Sequence, residues 1–309
     1  MSKRLKLDKL KLLSNSLIDK KKQKTTTTSN ENKNENEVVS KFFVAEILEP
    51  KKKTTLQKPI KIKYDEDIVD DDDDDDKTTD NKWEPNNWKE TYELIKEMRK
   101  NNTAPVDEMG CDKCSEKDAS PEIYRYQCLL ALMLSSQTKD QVTHAAMERL
   151  KNHGCKPDII VSTPDDDLGK LIYPVGFWKR KVQYIKKTSE ILIRDYQSDI
   201  PSTIEDLCKL PGVGPKMGHI CMQIAWNKTS GIGVDTHVHR ICNRLAWLKN
   251  ETKTPEDTRK QLESWLPKKL WSEINHLLVG FGQEICLPRG PKCKECLNNK
   301  ICPFPRANK

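Results

Sequence analysis

The chain has 309 residues and a formal charge of +7. It contains no run of about eighteen apolar residues, which excludes a transmembrane helix. Its eleven cysteines sit in a Lys-rich chain without a secretory leader, which argues against a disulfide framework and for a reduced compartment, where clustered cysteines bind metal.

Residues 1–82 are rich in Asn, Thr, Lys and acidic side chains, with an unbroken acidic run at 70–76. Such a segment has too little apolar surface to offset the entropy of ordering it, so a disordered low-complexity tail is expected. The tail holds 19 basic and 18 acidic residues, which leaves most of the positive excess to the remainder, with 35 against 29. A basic folded part suits a polyanionic partner, and ordinary solvated charge explains it equally well. Lysine runs at 20–22 and 51–53 read as nuclear-import signals or as plain solvated charge. Residues 3–18 interleave Lys and Arg with Leu and Ile, as a mitochondrial address does, while Asp8 and Asp19 weigh against that reading. The expected location is the nucleus, with the mitochondrion as a second compartment.

Order is expected from near Trp83. Trp88, Tyr92 and Ile95 recur at helical spacing. Pro121 opens a stretch through Ile123, Tyr126, Leu129, Leu130, Leu132, Met133 and Leu134, apolar on most of the helix circumference and therefore buried on most sides. It stops at Ser135-Ser136-Gln137-Thr138, and the next helix begins near Lys139, with Val142, Ala146 and Leu150 on one face. Thr163-Pro164 reads as a cap followed by a first-turn proline. Tyr173-Pro174-Val175-Gly176 breaks the chain, and Val182, Ile185, Leu192 and Tyr196 mark another amphipathic helix. Ser202-Thr203-Ile204-Glu205 has the capping-box pattern. Later helices begin near Thr236, after Thr254-Pro255 and around Leu270. No alternating strand pattern occurs, so the expected fold is all-α.

Three features carry chemistry. Leu210-Pro211-Gly212-Val213-Gly214-Pro215-Lys216 joins two helices, and Gly212 and Gly214 permit close backbone approach and positive φ. Amides at such a turn, next to a helix N-terminus, bind a phosphate; the plain alternative is a tight helix–helix turn. Lys216 follows in the first turn, where the helix dipole disfavours an ammonium ion and favours a neutral amine nucleophile. Asp235, in Val234-Asp235-Thr236-His237, reads as an N-cap, which would also hold a carboxylate rigidly. His237 and His239 lie two apart on a helix and point to different faces, so they do not form a metal pair. Cys286, Cys293, Cys296 and Cys302 form a Cys-x6-Cys-x2-Cys-x5-Cys pattern followed by Pro303. Zinc sites usually show two Cys-x2-Cys pairs, so this spacing favours a 4Fe-4S cluster. The first intercysteine loop carries Arg289 and Lys292, two cations suited to a DNA backbone. Cys128, Cys208, Cys221 and Cys242 read as core fillers on helices, and Cys111-x2-Cys114 as an inert loop pair.

With hairpin, lysine, aspartate and cysteines in this order, the stretch from about Trp83 to Pro303 resembles the endonuclease III family of DNA glycosylase/AP lyases, eukaryotic branch. Leu134-Ser135-Ser136-Gln137-Thr138-Lys139-Asp140 is similar to the segment before that family's DNA-reading helix. Tyr173-Pro174-Val175-Gly176-Phe177-Trp178 is similar to its second insertion loop, and Gly231 through Arg240 to its catalytic aspartate segment. The resemblance implies two helical lobes with DNA across the cleft between them. The six-helix barrel lobe would span 120–230, and the cluster lobe would combine 83–119 with 231–309.

It further implies that Gln137 and Phe177 fill the gap left by an extruded nucleotide, that Lys216 is the nucleophile and that Asp235 is its catalytic partner. The implied partner is double-stranded DNA carrying oxidised pyrimidines or abasic sites, acted on by a monomer away from any membrane. Gly218 stands where the family often has a small residue such as Ala, at a cost of about 1 kcal/mol of helix propensity.

Other readings remain. A monofunctional glycosylase of the same fold, such as the adenine-specific branch, normally lacks the lysine and adds a C-terminal domain. A noncatalytic helix-hairpin-helix DNA-binding protein would need neither Lys216 nor Asp235. An electron-transfer protein would leave the hairpin unexplained.

Overall fold

The protein is described from a computed structural model, which describes residues 83–304. The expected tail, its lysine runs, its acidic run and the amphipathic stretch 3–18 lie outside the described residues. Every regular element among the described residues is helical.

The first of two apolar cores is organised around α3 (Pro121–Ser135), in which every residue from Tyr126 to Leu134 is buried. A helix apolar on all sides has to be enclosed, and α3 is packed by α4 (Asp140–His153), α7 (Trp178–Tyr196) and α9 (Pro215–Trp226). Between these run α5 (Pro157–Ser162), α6 (Asp165–Ile172) and the one-turn α8 (Ile204–Leu207). Leu150, Ile160, Leu168, Ile172, Ile185 and Leu192 supply the enclosing faces. Tyr126 buries its hydroxyl against Ser189 Oγ at 2.7 Å, so its polar atom is satisfied inside the core.

The second core joins α1 (Trp88–Arg99) to α10 (Thr236–Arg244), α11 (Pro255–Glu263) and α12 (Trp271–Glu284). Trp265 packs edge-on between Trp88 and Trp247, with ring centroids 5.1 Å and 6.0 Å away. Its indole N–H donates to Trp247 O. The short helix α2 (Pro105–Met109) packs on both α4 and α12 and so connects the helices of the two cores. Arg99 fixes it there: the buried guanidinium pairs with Asp107 on α2 at 2.6 Å and with Glu284 at the end of α12 at 2.8 Å.

Local signals in the sequence hold to within a residue or two, and the departures have simple causes. Thr163 does not cap α6. Its hydroxyl donates to Ile159 O and meets His153 Nε2, closing the end of α5, and Pro164 itself occupies the cap position of α6. The N-cap of α8 falls one residue after Ser202, at Thr203, and lacks the return bond of a capping box. Thr203 accepts from Asp206 N, because the chain is still extended at Thr203. α11 starts after Thr254-Pro255 as expected, and Thr254 caps it, accepting from Asp257 N at 3.1 Å. Cys208 lies just past α8 and is half-buried, whereas Cys128, Cys221 and Cys242 are buried helix residues. Gly218 has a packing reason that helix propensity does not capture. A Cβ there would lie 2.3 Å from Ile204 Cδ1 and 3.3 Å from Cys208 Sγ, so the tip of the Ile204 side chain on α8 would have to turn aside.

Candidate active site

Where the two cores meet, a cleft of about 960 Å³ is lined by Gln137, Asp140, Lys216, Asp235, His237 and Gln283 among others. Lys216 arrives there from the hairpin. Gly212 has φ +82°, and a Cβ at that position would meet the Tyr184 ring at 2.8 Å, so both backbone and packing call for glycine. Gly214 differs from the expectation of positive φ. It is extended, at φ −113°, and serves as the N-cap of α9, with nothing within 4 Å of the place a Cβ would take. Neither glycine amide donates to a protein acceptor among the described residues. Leu210 and Val213 are buried beneath the turn, and Thr188 Oγ1 donates to Pro211 O at 3.3 Å. Pro215 occupies the first turn of α9, which leaves Lys216 half-buried at the edge of the cleft.

Asp235 reaches the same cleft from the side of the second core. Its Oδ1 accepts from Val238 N at 2.8 Å, a cap bond that fixes the carboxylate at the start of α10. The 231–235 segment that delivers it is buried through Val234 and runs against α9, where a Cβ on Gly233 would lie 3.4 Å from Lys216 O. Asn275 on α12 donates to Gly233 O. The carboxylate and the amine are thus carried on helices of different cores, α10 and α9, joined by short, well-packed backbone.

Four further lining residues have no role in the site assigned from sequence. Asp140, at the start of α4, accepts from Gln283 Nε2 at 2.7 Å, and Val106 N donates to Gln283 Oε1, so one side chain bridges α2, α4 and α12. Burial pushes the Asp140 carboxyl above its ordinary value, against the bond from Gln283 and the charges of His237 and Lys216. Burial lowers the His237 imidazole, while Asp235 beside it pulls the other way. His239 faces elsewhere, with Nδ1 2.7 Å from Thr258 Oγ1, so the two histidines do separate as expected. Cys111, in a 3₁₀ turn at Cys111–Lys113, also lines the cleft, while Cys114 is buried in the first core. Burial pushes the Cys111 thiol up to about 11, with Ser135 and Lys216 opposing. Its placement by α2 left no signal in the sequence; that of His237, next to Asp235, did.

Of the remaining expected site residues, Phe177 is 62% exposed and stands outside the cleft lining, at the N-cap of α7. Arg289 and Lys292 are exposed on the loop after α12, whose Leu287 and Pro288 border the cleft. Cys286, Cys293, Cys296 and Cys302 line one small cavity with Phe281, Ile285 and Phe304. No three His, Cys, Asp or Glu side chains among the described residues converge on a position for one metal ion. Burial pushes the Cys296 thiol up to about 11, with Cys302, Cys286 and Cys293 adding to the rise. Four cysteines lining one apolar-walled space form a donor set suited to a cationic cluster that holds them deprotonated. Arg244 ties the first of them to α10, with Nη1 3.3 Å from Cys286 Sγ and 2.7 Å from Leu287 O.

Residues 130–268 match the family model described as the HhH-GPD superfamily base excision DNA repair protein. The fold is therefore that of a helix-hairpin-helix base excision repair protein. Endonuclease III-like protein 1 of Gallus gallus is 63% identical over 222 residues, 72% of this chain and 79% of that protein. Its Mus musculus counterpart is 59% identical over 221 residues, 72% and 74% of the two chains. A solved structure described as a trapped endonuclease III–DNA covalent intermediate superposes with a TM-score of 0.59 at 26% identity, covering 70% of this chain and 95% of that one. The chain belongs to the endonuclease III family and is a DNA glycosylase of base excision repair.

Proposed function

We propose that the protein is a bifunctional DNA N-glycosylase/AP lyase that removes oxidised pyrimidines from double-stranded DNA. The observation that carries this is the meeting of Lys216 and Asp235, one from the helices of each core, at a single cleft beside the hairpin. A passive DNA-binding protein has no use for that pair. The free amides of Gly212 and Gly214, with open space in front of Gly214, suit one backbone phosphate. With the strand anchored there, the damaged nucleotide rotates into the cleft, at least cost where its pairing is already weak. The Lys216 amine attacks C1′, forming a C–N bond as the glycosidic bond breaks, and the base leaves with a proton. Asp235 stabilises the positive charge developing on the sugar. Ring opening gives a protonated Schiff base, loss of a C2′ proton follows, and the 3′ phosphate departs by β-elimination. Hydrolysis returns the amine. Gln137 and Phe177 fill the vacated stack.

A duplex carrying one oxidised pyrimidine tests the reaction. Base release and strand cleavage should proceed together, leaving a 3′ unsaturated aldehyde. Base release that leaves an uncut abasic strand would establish the monofunctional alternative instead.

Cys286, Cys293, Cys296 and Cys302 would hold the 4Fe-4S cluster generally associated with this family, and the cluster would supply a rigid cross-link for the C-terminal loop. That loop presents Arg289 and Lys292 to the DNA backbone. Freshly purified protein should be yellow-brown, with about four irons per chain and little zinc. Replacing Arg289 and Lys292 together should weaken binding to damaged and undamaged duplexes alike. The slope of log affinity against log salt should become shallower by about 0.9 for each lost phosphate contact. Colourless protein with one zinc would refute the cluster, and a loss confined to damaged DNA would assign the loop to lesion recognition.

A further inference from the structure

Gln137 and Phe177 sit on separate segments, the turn after α3 and the turn before α7, yet both have left-handed backbone, φ 51° and 55°. Such conformations in residues other than glycine are strained by about 1 kcal/mol or more and persist only where their surroundings over-determine them. One residue connects the two, its side chain on the first segment and its main chain in the helix turn that follows the second. Lys181 is 7% exposed and donates from Nζ to Leu134 O at 2.7 Å, Ser136 O at 2.6 Å and Thr138 Oγ1 at 3.2 Å. These acceptors bracket Gln137. Lys181 is also in the first turn of α7, where its own N–H donates to Phe177 O at 3.1 Å.

The two segments are in direct contact. Gly176 N donates to Thr138 Oγ1 at 3.1 Å, and a Cβ on Gly176 would lie 2.5 Å from Gln137 O. Thr138 Oγ1 in turn donates to Ser136 O at 3.1 Å, so its hydrogen-bonding capacity is fully used. No carboxylate among the described residues pairs with Lys181, and burial pushes its ammonium down to about 8. A cation placed only to close the C-terminal end of α3 would need contact with that end alone. This one sits where a single ammonium ties the carbonyls flanking one exposed side chain to the helix turn that begins at the other.

We propose that Lys181 is a positioning residue whose buried ammonium sets the spacing of Gln137 and Phe177 and so controls how the gap left by an extruded nucleotide is held open. This rests on reading those two side chains as the gap-filling pair.

The experiment uses a duplex with 2-aminopurine opposite an abasic site, so that fluorescence reports unstacking of the opposing base. The same proteins are trapped with borohydride on single-stranded abasic DNA, where there is no opposing stack to part. Wild-type protein should raise the fluorescence, and Phe177→Ala should lose the rise. Lys181→Met keeps the chain length and removes the donors. It should slow the fluorescence step on the order of ten- to a hundred-fold, as expected for a misplaced reacting group. Trapping on single-stranded DNA should persist. Thr138→Val removes only the link to Gly176 and should show the same loss in smaller measure, which covers the case in which Lys181→Met fails to fold. Wild-type fluorescence in Lys181→Met, or in Thr138→Val where the first is unfolded, alongside a loss in Phe177→Ala, overturns the role of Lys181 and leaves the gap-filling reading intact. No rise in the wild-type protein overturns that reading and the proposal with it.

Discussion

Lys216→Gln should abolish borohydride trapping on abasic duplex DNA while leaving the protein folded and able to bind. The wild-type protein should become covalently attached through a reduced Schiff base. Glutamine preserves most of the length and polarity of the side chain, and the first turn of a helix tolerates it well. Lys216 is half-buried and makes no ion pair among the described residues, so little stability is expected to depend on it. Among the other groups lining the cleft are an exposed lysine, Lys139, and a thiol, Cys111. Cys111 is nearby, but burial holds its thiol up near 11 and therefore protonated at neutral pH. Trapping should fall below detection, while affinity for a reduced abasic site changes by less than about ten-fold, equivalent to 1.4 kcal/mol. Persistent crosslinking at the wild-type level would place the nucleophile elsewhere and remove Lys216 from the mechanism.

Much of this molecule is legible before folding, for reasons that differ from element to element. The burial of α3 could be read because nine successive residues, Tyr126 to Leu134, lie on every side of a helix, and all but Gln127 are apolar or aromatic. The hairpin and Asp235 could be read because glycine, proline and a capping carboxylate have strong local preferences. What could not be read depends on which helices meet. Asp140 acquires its bond to Gln283 only when α4 and α12 are brought within reach across 143 residues of chain.

Lys181 illustrates the same limit. In sequence it is one of several lysines on an amphipathic helix, next to Arg180 and near Lys179. Only the fold turns it inward to the carbonyls at the end of α3, where an ammonium replaces the donors that a helix C-terminus lacks. Gly212 and Gly214 divide in a similar way. The dipeptide spacing suggests one role for both, whereas positive φ and contact with Tyr184 belong to Gly212 alone.

Asp235→Asn should separate the cap from the charge. Asparagine retains a carbonyl oxygen for Val238 N, so α10 should keep its start and the protein its thermal stability to within about 1 kcal/mol. The lost charge is the one that faces the developing cation on the sugar. Removing a preorganised electrostatic partner of this kind costs on the order of a hundred- to a thousand-fold in the chemical step. Single-turnover base release should therefore fall by that amount, while affinity for abasic DNA changes little. The carboxylate also favours the protonated form of the neighbouring His237, working against the burial that lowers it. In the variant, the imidazole should titrate at still lower pH, and a histidine NMR titration provides that measurement independently of activity. Base release at the wild-type rate, or a loss matched by an equal loss of affinity, would reduce Asp235 to a helix cap. A slow chemical step with the helix intact and the His237 titration moved down would locate the effect in the missing charge.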